Sequence, residues 1–453
     1  MTRERVESAA YETGVQPPAA RLTGTMEIGP EGHLYIGGCD TTRLAATYGT
    51  PLFVYDELLL RQTIRRFHNA FQSTGAPYRV AYAGKAFCSI AMCQLVAEEG
   101  CNLDVVSGGE LYTALTAGLD PALIHLHGNN KTAEELEYAV TSGIGAVIVD
   151  NFIELEMLQE VAARHQRTVD ILLRVAPGVE AHTHEYISTG QQDSKFGFDM
   201  ELGQAEEALR RVQSSASLHC IGLHAHIGSQ IFDTQGFTAA ITRMVGLYER
   251  ALALGLSLSV LNIGGGYGIR YTDEDDPEPI ERQIHEIVGT MRDVFTTRGL
   301  AVPEIWVEPG RSIAGPAGTT LYRIGTQKRI PGVRNYVAID GGMTDNPRYA
   351  LYGAKYEALL ANRAAEEPSG VWTVAGKCCE SGDVVIRDAM LPEAAYGDIL
   401  AVLSTGAYNY SMASHYNRLP KPAVVFVRDG EARVVVARET WADVVRMDRP
   451  LRG

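Results

Sequence analysis

The sequence has no uninterrupted apolar run approaching the roughly 18 residues that span a bilayer, and its opening MTRERVESAAYETGVQPPAARLTG carries no apolar core of a secretory signal. These absences predict a cytoplasmic protein with a mobile polar leader over residues 1–25. No cluster of Lys and Arg interrupts a formal net charge of −15, a balance that opposes nucleic-acid backbones and anionic lipid and leaves a small molecule as the expected partner. Cysteine is scarce and odd in number. Seven residues, at 39, 88, 93, 101, 220, 378 and 379, are scattered through the chain, which argues against a disulfide framework. Neither a repeated CxxC pair nor HExxH is present, so no structural zinc site is expected, and most of the thiols read as small buried hydrophobes. Internal repeats and low-complexity tracts are also missing.

What remains is the composition of a globular enzyme, 45% hydrophobic and 21% charged, in a chain of 453 residues that exceeds one ordinary core. From residue 78 onward short β-rich runs alternate with segments of helical period: YRVAYA, NLDVV, LIHLHG, AVIVD, DILLRV, IGLHAHI, LSVLNIG and EIWVEP. Eight strand-then-helix units over roughly 250 residues predict a (β/α)8 barrel, an α/β fold of the TIM type, over residues 56–311. After residue 312 the texture changes to β-like runs broken by Gly, Pro and Asp, among them RIGTQKRI, NYVAIDGG, WTVAGKCC, DILAVLSTG, PAVVFVRDG and EARVVVARE. A β-rich domain is expected there (312–453), joined by N-terminal strands from HLYIGG and PLFVYD (26–55).

The C-terminal ends of barrel strands are where this fold places its chemistry. Lys85, in AYAGKAF, follows an apolar strand and precedes an apolar helix; burial is expected there, and a buried lysine has a depressed pKa and forms Schiff bases. A surface charge is the plain alternative. HAHIGSQ places His224 and His226 on one strand face, either as a metal pair that lacks an evident third ligand or as a flat surface for a planar ligand, with Ser229 as a donor. In NIGGGYG the backbone at Gly264, Gly265 and Gly266 can approach a phosphate; a dinucleotide fingerprint would need glycine where Ile269 stands. EPGR sets Glu308 and Arg311 across a rigid turn, either as an ion pair or with the carboxylate holding a heterocyclic nitrogen protonated. A lysine for an aldehyde, a glycine loop for a phosphate, a histidine for a ring face and a glutamate for a pyridinium nitrogen together describe a site for pyridoxal 5′-phosphate.

The stretches EYISTGQQDSKFGF, HAHIGSQ, NIGGGYG, EPGR, DNPRYALYG, GKCCESGD and GAYNYSMASHYNRLPKP resemble the fold-type III pyridoxal-phosphate-dependent decarboxylases, and the resemblance runs over nearly the whole chain. It implies that Lys85 carries the cofactor aldehyde, that His226 stacks on the ring, and that Ser229, Gly264 to Gly266, Gly310 and Tyr408 surround the cofactor, with Glu308 at the ring nitrogen. Cys379 is implied as the proton donor, and Arg311, Arg348, Tyr352, Tyr408 and Glu380 as substrate-binding, with Arg311 also near the phosphate. AGKAF departs from the family's usual neighbours of the lysine, though the lysine itself is retained. The implied reaction is decarboxylation of meso-2,6-diaminopimelate to L-lysine, the last step of lysine biosynthesis; arginine, ornithine or carboxynorspermidine are the alternative substrates on this scaffold. Only a substrate with a second amino-acid head needs a cation and an anion at its far end, which Arg348 and Glu380 would supply unless they form a structural salt bridge. Family members are homodimers with shared active sites, so GKCCESGD is expected to reach across an interface. If strand alternation continues through it, Cys378 and Cys379 face opposite ways.

Overall fold

The computed structural model describes residues 21–179 and 194–452. Most of the polar leader and most of EYISTGQQDSKFGF lie outside the described residues. All eight expected barrel strands are present: β1 (Tyr78–Ala83), β2 (Asn102–Val105), β3 (Ile124–Leu126), β4 (Ala146–Val149), β5 (Val169–Ala176), β6 (Leu218–His224), β7 (Val260–Asn262) and β8 (Glu304–Val307). Each pairs in parallel with the next, and β8 closes on β1. The helices that follow them are α1 (Ile90–Glu98), α2 (Gly108–Thr116), α3 (Ala133–Ser142), α4 (Phe152–Arg164), α5 (Gln204–Gln213), α6 (Gln235–Ala253), α7 (Ile280–Thr297) and α8 (Arg311–Ala317). No helix among the described residues is long and apolar enough to cross a membrane.

Period-two alternation builds the barrel wall. Leu103, Val105, Ile124, Leu126, Val147 and Val149 belong to the core between strands and helices. Their neighbours Ala146, Ile148, Leu172, Val260 and Trp306 form a separate apolar plug inside the barrel. Above the plug the inward positions turn polar. The helices start where side chains can satisfy their free N–H groups: Ser89, Ser107 and Asn151 cap α1, α2 and α4, and Thr132 with Glu135 makes a capping box on α3.

The chain leaves α8 directly into the long strand Gly318–Ile330 of a second sheet. That sheet runs in the order Val384–Leu391, Gly370–Ala375, Arg334–Ile339, Gly318–Ile330, Leu52–Asp56, Ala423–Arg428 and Glu431–Val436. PLFVYD thus joins the β-rich part, whereas HLYIGG does not enter its sheet: Leu34–Ile36 pairs with Glu27–Ile28 and Cys39–Asp40 in a small sheet of its own. WTVAGKCC is also only half a strand, because pairing ends at Ala375 and GKCCESGD is a loop. Leu52–Asp56 ties the two parts together by alternation. Leu52 and Val54 enter the core of the second sheet, while Phe53 and Tyr55 enter the barrel core, where the Tyr55 ring stacks on Phe87 at 4.6 Å. Burying aromatic side chains of this size stabilises by about 1.5–3 kcal/mol each.

One buried ion pair braces the barrel mouth. Lys131 Nζ donates to Glu154 Oε1 at 2.7 Å and to the carbonyls of Gly128 and Ile148, both at 2.8 Å, so that α4 is tied to the ends of β3 and β4. Both side chains are buried. Lys131→Met strands the Glu154 carboxylate without its cation and is expected to destabilise the protein by about 3–5 kcal/mol, whereas Lys131→Met combined with Glu154→Leu recovers most of the loss. Denaturant unfolding of the three proteins checks this; equal loss in the single and double variants contradicts it.

Candidate active site

The polar inward positions open into a cavity of about 600 Å³ at the C-terminal ends of the strands. Its floor is centred on Glu308, just past β8, which is 8% exposed. One carboxylate oxygen accepts from Asn262 Nδ2 at 2.6 Å and the other faces His224 Nε2 at 3.2 Å. His127 Nε2 lies 3.4 Å from Glu308 Oε1 and 3.5 Å from Asp104 Oδ1, and Asp104 in turn faces His125 Nδ1 at 3.1 Å. Burial alone would push the Glu308 carboxyl up, but the histidines around it, His224 and His127 foremost, outweigh burial and hold it well below the usual carboxylate range. Burial lowers the His224 imidazole, against the opposing pull of the Glu308 carboxylate beside it.

Around this floor stand the other expected residues. Lys85 is on a 3-10 turn, Gly84–Ala86, that continues from β1. Contrary to expectation the lysine itself is exposed, projecting into the open cavity, while Gly84 and Ala86 beside it are buried. His226 lines the same cavity and accepts from the Gly265 amide through Nδ1 at 3.3 Å; burial first, and then the Lys85 charge, keep its imidazole well below its ordinary pKa. A neutral imidazole presents a ring face without repelling a cationic heterocycle.

Gly264 and Gly266 have positive φ, 71° and 110°, and a Cβ on any of Gly264, Gly265 or Gly266 would overlap neighbouring backbone carbonyls. The Gly264 amide donates to Asn262 Oδ1 at 2.8 Å and the Gly265 amide to His226, so of the three glycines it is Gly266 that lines the cavity. Beside it Arg311 donates to Ser229 Oγ at 2.9 Å through Nη2 and to Tyr271 Oη at 2.6 Å through Nη1, and its guanidinium lies 4.9 Å from the Tyr408 ring. The Glu308–Arg311 ion pair left open by the sequence does not form: the two residues have separate partners. Arg348 is buried, 5.6 Å from the rings of both Tyr352 and Tyr408, and its Nε has no partner among the described residues. Gly310, Arg348, Tyr352 and Tyr408 all line the cavity. The glycine cradle and two buried arginines fit an anionic phosphate and a carboxylated substrate, and the ionised Glu308 fits a ring N–H donor. The residues present therefore fit pyridoxal 5′-phosphate.

Besides Gly264 and Gly265, two expected residues do not line this cavity. Cys379 and Glu380 are exposed outside its lining, the Cys379 amide donating to Asn417 Oδ1 at 2.8 Å and Tyr416 Oη donating to Glu380 Oε2 at 3.4 Å. Arg348 and Glu380 thus form no structural salt bridge. Cys378 and Cys379 do differ in burial, but through the loop's own turn rather than strand alternation. Sequence reasoning missed Asp104, His127, Arg174, Asn262 and Tyr271. Among the described residues the His224–His226 metal reading gains no third ligand: the cluster whose ligand atoms lie within 4.8 Å of one another is His127, His224 and Glu308, without His226. A signal for four of the five was available, since NLD and HLH alternate polar and apolar residues, and LLR and LN each end an apolar strand run on a polar residue.

Residues 60–315 match the family model for the pyridoxal-dependent decarboxylase, pyridoxal binding domain. The chain is 54% identical over 432 residues to a diaminopimelate decarboxylase of Halalkalibacterium halodurans, covering 94% of this chain and 98% of the relative, and 53% identical over 432 residues to that of Bacillus subtilis, covering 95% and 98%. Among solved structures, a diaminopimelate decarboxylase from M. jannaschii in co-complex with L-lysine is similar with a TM-score of 0.88 at 34% identity, covering 94% of this chain and 98% of that one.

The depressed pKa of Glu308 has a measurable sign. A carboxyl held low in the folded state contributes stability that is fully present above its unfolded pKa of about 4.3 and is lost as pH falls through the folded value. The stability difference between the wild type and Glu308→Gln should therefore stay constant between about pH 6 and pH 8. Thermal unfolding of both proteins across that range is the measurement; a difference that changes there would mean a raised carboxyl.

Proposed function

The chain belongs to the pyridoxal-dependent decarboxylases, and from that premise we propose that it removes one carboxylate from meso-2,6-diaminopimelate, releasing carbon dioxide and L-lysine. The observation that carries this reading is a single cavity in which Lys85 and the ionised Glu308 face two buried arginines, Arg311 and Arg348. Pyridoxal 5′-phosphate, when bound, supplies an electrophilic aldehyde and a ring that accepts the electron pair left by carbon dioxide. Lys85 provides the amine that holds the aldehyde and that the substrate amine displaces. His226 would lie against the ring face, and Gly266, Ser229 and Arg311 would hold the phosphate. Glu308 would keep the proton on the ring nitrogen, because a carboxylate held ionised at that depth favours a cationic partner.

The substrate's far end distinguishes the rival substrates. Arg348, among Tyr352 and Tyr408, offers a bidentate partner to a distal carboxylate, which arginine and ornithine do not have. Cys379 and Glu380 then act in the cavity of a second copy of the chain, Cys379 giving a proton to the carbon that lost its carboxylate and Glu380 accepting the distal ammonium. Their exposure outside this chain's own cavity supports such a homodimer with shared sites. A cytoplasmic, lysine-forming role in biosynthesis follows from the same reading.

Incubation of the cofactor-loaded protein with meso-diaminopimelate should yield lysine and carbon dioxide in equal amounts, and Lys85→Ala should yield neither. Arg348→Met should raise KM for diaminopimelate by roughly 30- to 150-fold, the value of one charge-assisted contact of about 2–3 kcal/mol. Turnover of ornithine but not diaminopimelate would overturn the substrate assignment.

A further inference from the structure

Asp383 is 3% exposed and has no part in the cavity, yet its carboxylate spans two loops. One oxygen accepts from the Met343 amide at 2.7 Å, and the other accepts from the Cys378 amide at 2.8 Å. The glycines flanking it leave room only for that carboxylate: a Cβ on Gly342 or Gly376 would overlap Asp383. The same two loops are joined again where the Lys377 amide donates to the Gly341 carbonyl at 2.9 Å. Onward from Met343 the chain turns through Asp345, which accepts from the Gly342 amide at 3.1 Å, and runs into the helix Arg348–Tyr352 at this chain's cavity. Onward from Cys378 it presents Cys379 and Glu380 away from that cavity. A third loop closes the knot, since the Ser414 amide donates to Thr344 O at 2.9 Å and Asn417 holds the Cys379 amide.

We propose that Asp383 is a positioning residue that sets Arg348 in one active site and the Cys379–Glu380 loop of the neighbouring active site as one rigid unit, so that substrate recognition in one site is mechanically coupled to proton delivery in the other. The inference rests on the shared-site reading for its second half. A buried carboxylate with two amide donors is costly to replace, because each unmatched N–H then stays desolvated. Neither Asp383 nor its donors touch the reacting atoms, so its effect passes through the two loops.

The test uses full-length, cofactor-loaded protein. Asp383→Asn keeps the size of the side chain but turns an amide hydrogen toward one of the backbone donors; KM for meso-diaminopimelate should rise and kcat should fall, each by about tenfold. Gly376→Ala, which displaces the carboxylate without removing it, should give the same paired change, and circular dichroism confirms that both variants are folded. Hybrids then separate the two effects. In a dimer of Asp383→Asn with Lys85→Ala, the one competent site takes Lys85 and Arg348 from the first chain and an intact Cys379 loop from the second. Its kcat per competent site should return to the wild-type value while KM stays raised by about tenfold. A control hybrid of Lys85→Ala with Cys379→Ala should regain activity. A KM restored together with kcat, or a kcat left low while the control recovers, overturns the coupling alone; a control without activity overturns the shared site and the coupling with it.

Discussion

The structure is organised around one costly constraint, an ionised carboxylate kept inside a barrel. Moving a carboxylate out of water costs several kcal/mol even after relaxation, and here the cost is offset by Asn262, His224 and His127, each supplied by a different strand end. That arrangement needs strands whose inward positions are apolar at one end and polar at the other. The plug of Ile148, Leu172, Val260 and Trp306 fills the lower barrel, and the Trp306 ring stacks on His125 at 4.5 Å, where the polar network begins. A negative charge fixed at that depth defines what can enter above it: a group with an N–H to donate and a charge to share.

The second sheet is part of the same device. Phe53 and Tyr55, carried on its Leu52–Asp56 strand, reach into the barrel core beside Phe87, two residues beyond Lys85. Its C-terminal loop holds the lysine turn directly, since the Tyr408 amide donates to the Ala86 carbonyl at 2.9 Å and Tyr55 Oη to the Gly406 carbonyl at 2.6 Å. Tyr408 adopts φ of 60°, an uncommon conformation for a tyrosine, and from it faces both arginines. The amine and the cations that recognise anions are therefore fixed relative to each other by packing between two domains rather than within one.

Much of this was legible in the sequence because the physics is local. Strand period, helix caps and the glycine turn leave signatures within a few residues, so the eight strands and the residues at their ends could be read directly. The floor of the cavity was less legible. Asp104, His127 and Arg174 are polar residues in largely apolar strands, and nothing in the sequence says that they converge from separate strands. Tyr271 gave no periodic signal at all, since it lies on an irregular loop and meets Arg311 only in three dimensions. GKCCESGD misled in form because strand pairing ends at Ala375, and Lys85 misled in burial because the cavity around it is open to solvent.

The central claim is that Glu308 remains an anion and holds a proton on the ring nitrogen of the bound cofactor. The most direct measurement is the nitrogen-15 chemical shift of the ring nitrogen in protein loaded with labelled pyridoxal 5′-phosphate. In the wild type the shift should be that of a protonated pyridinium, unchanged between neutral and mildly alkaline pH, and in Glu308→Gln it should move to that of a neutral pyridine. A neutral ring in the wild type, or a protonated ring that survives loss of the carboxylate, would contradict the account.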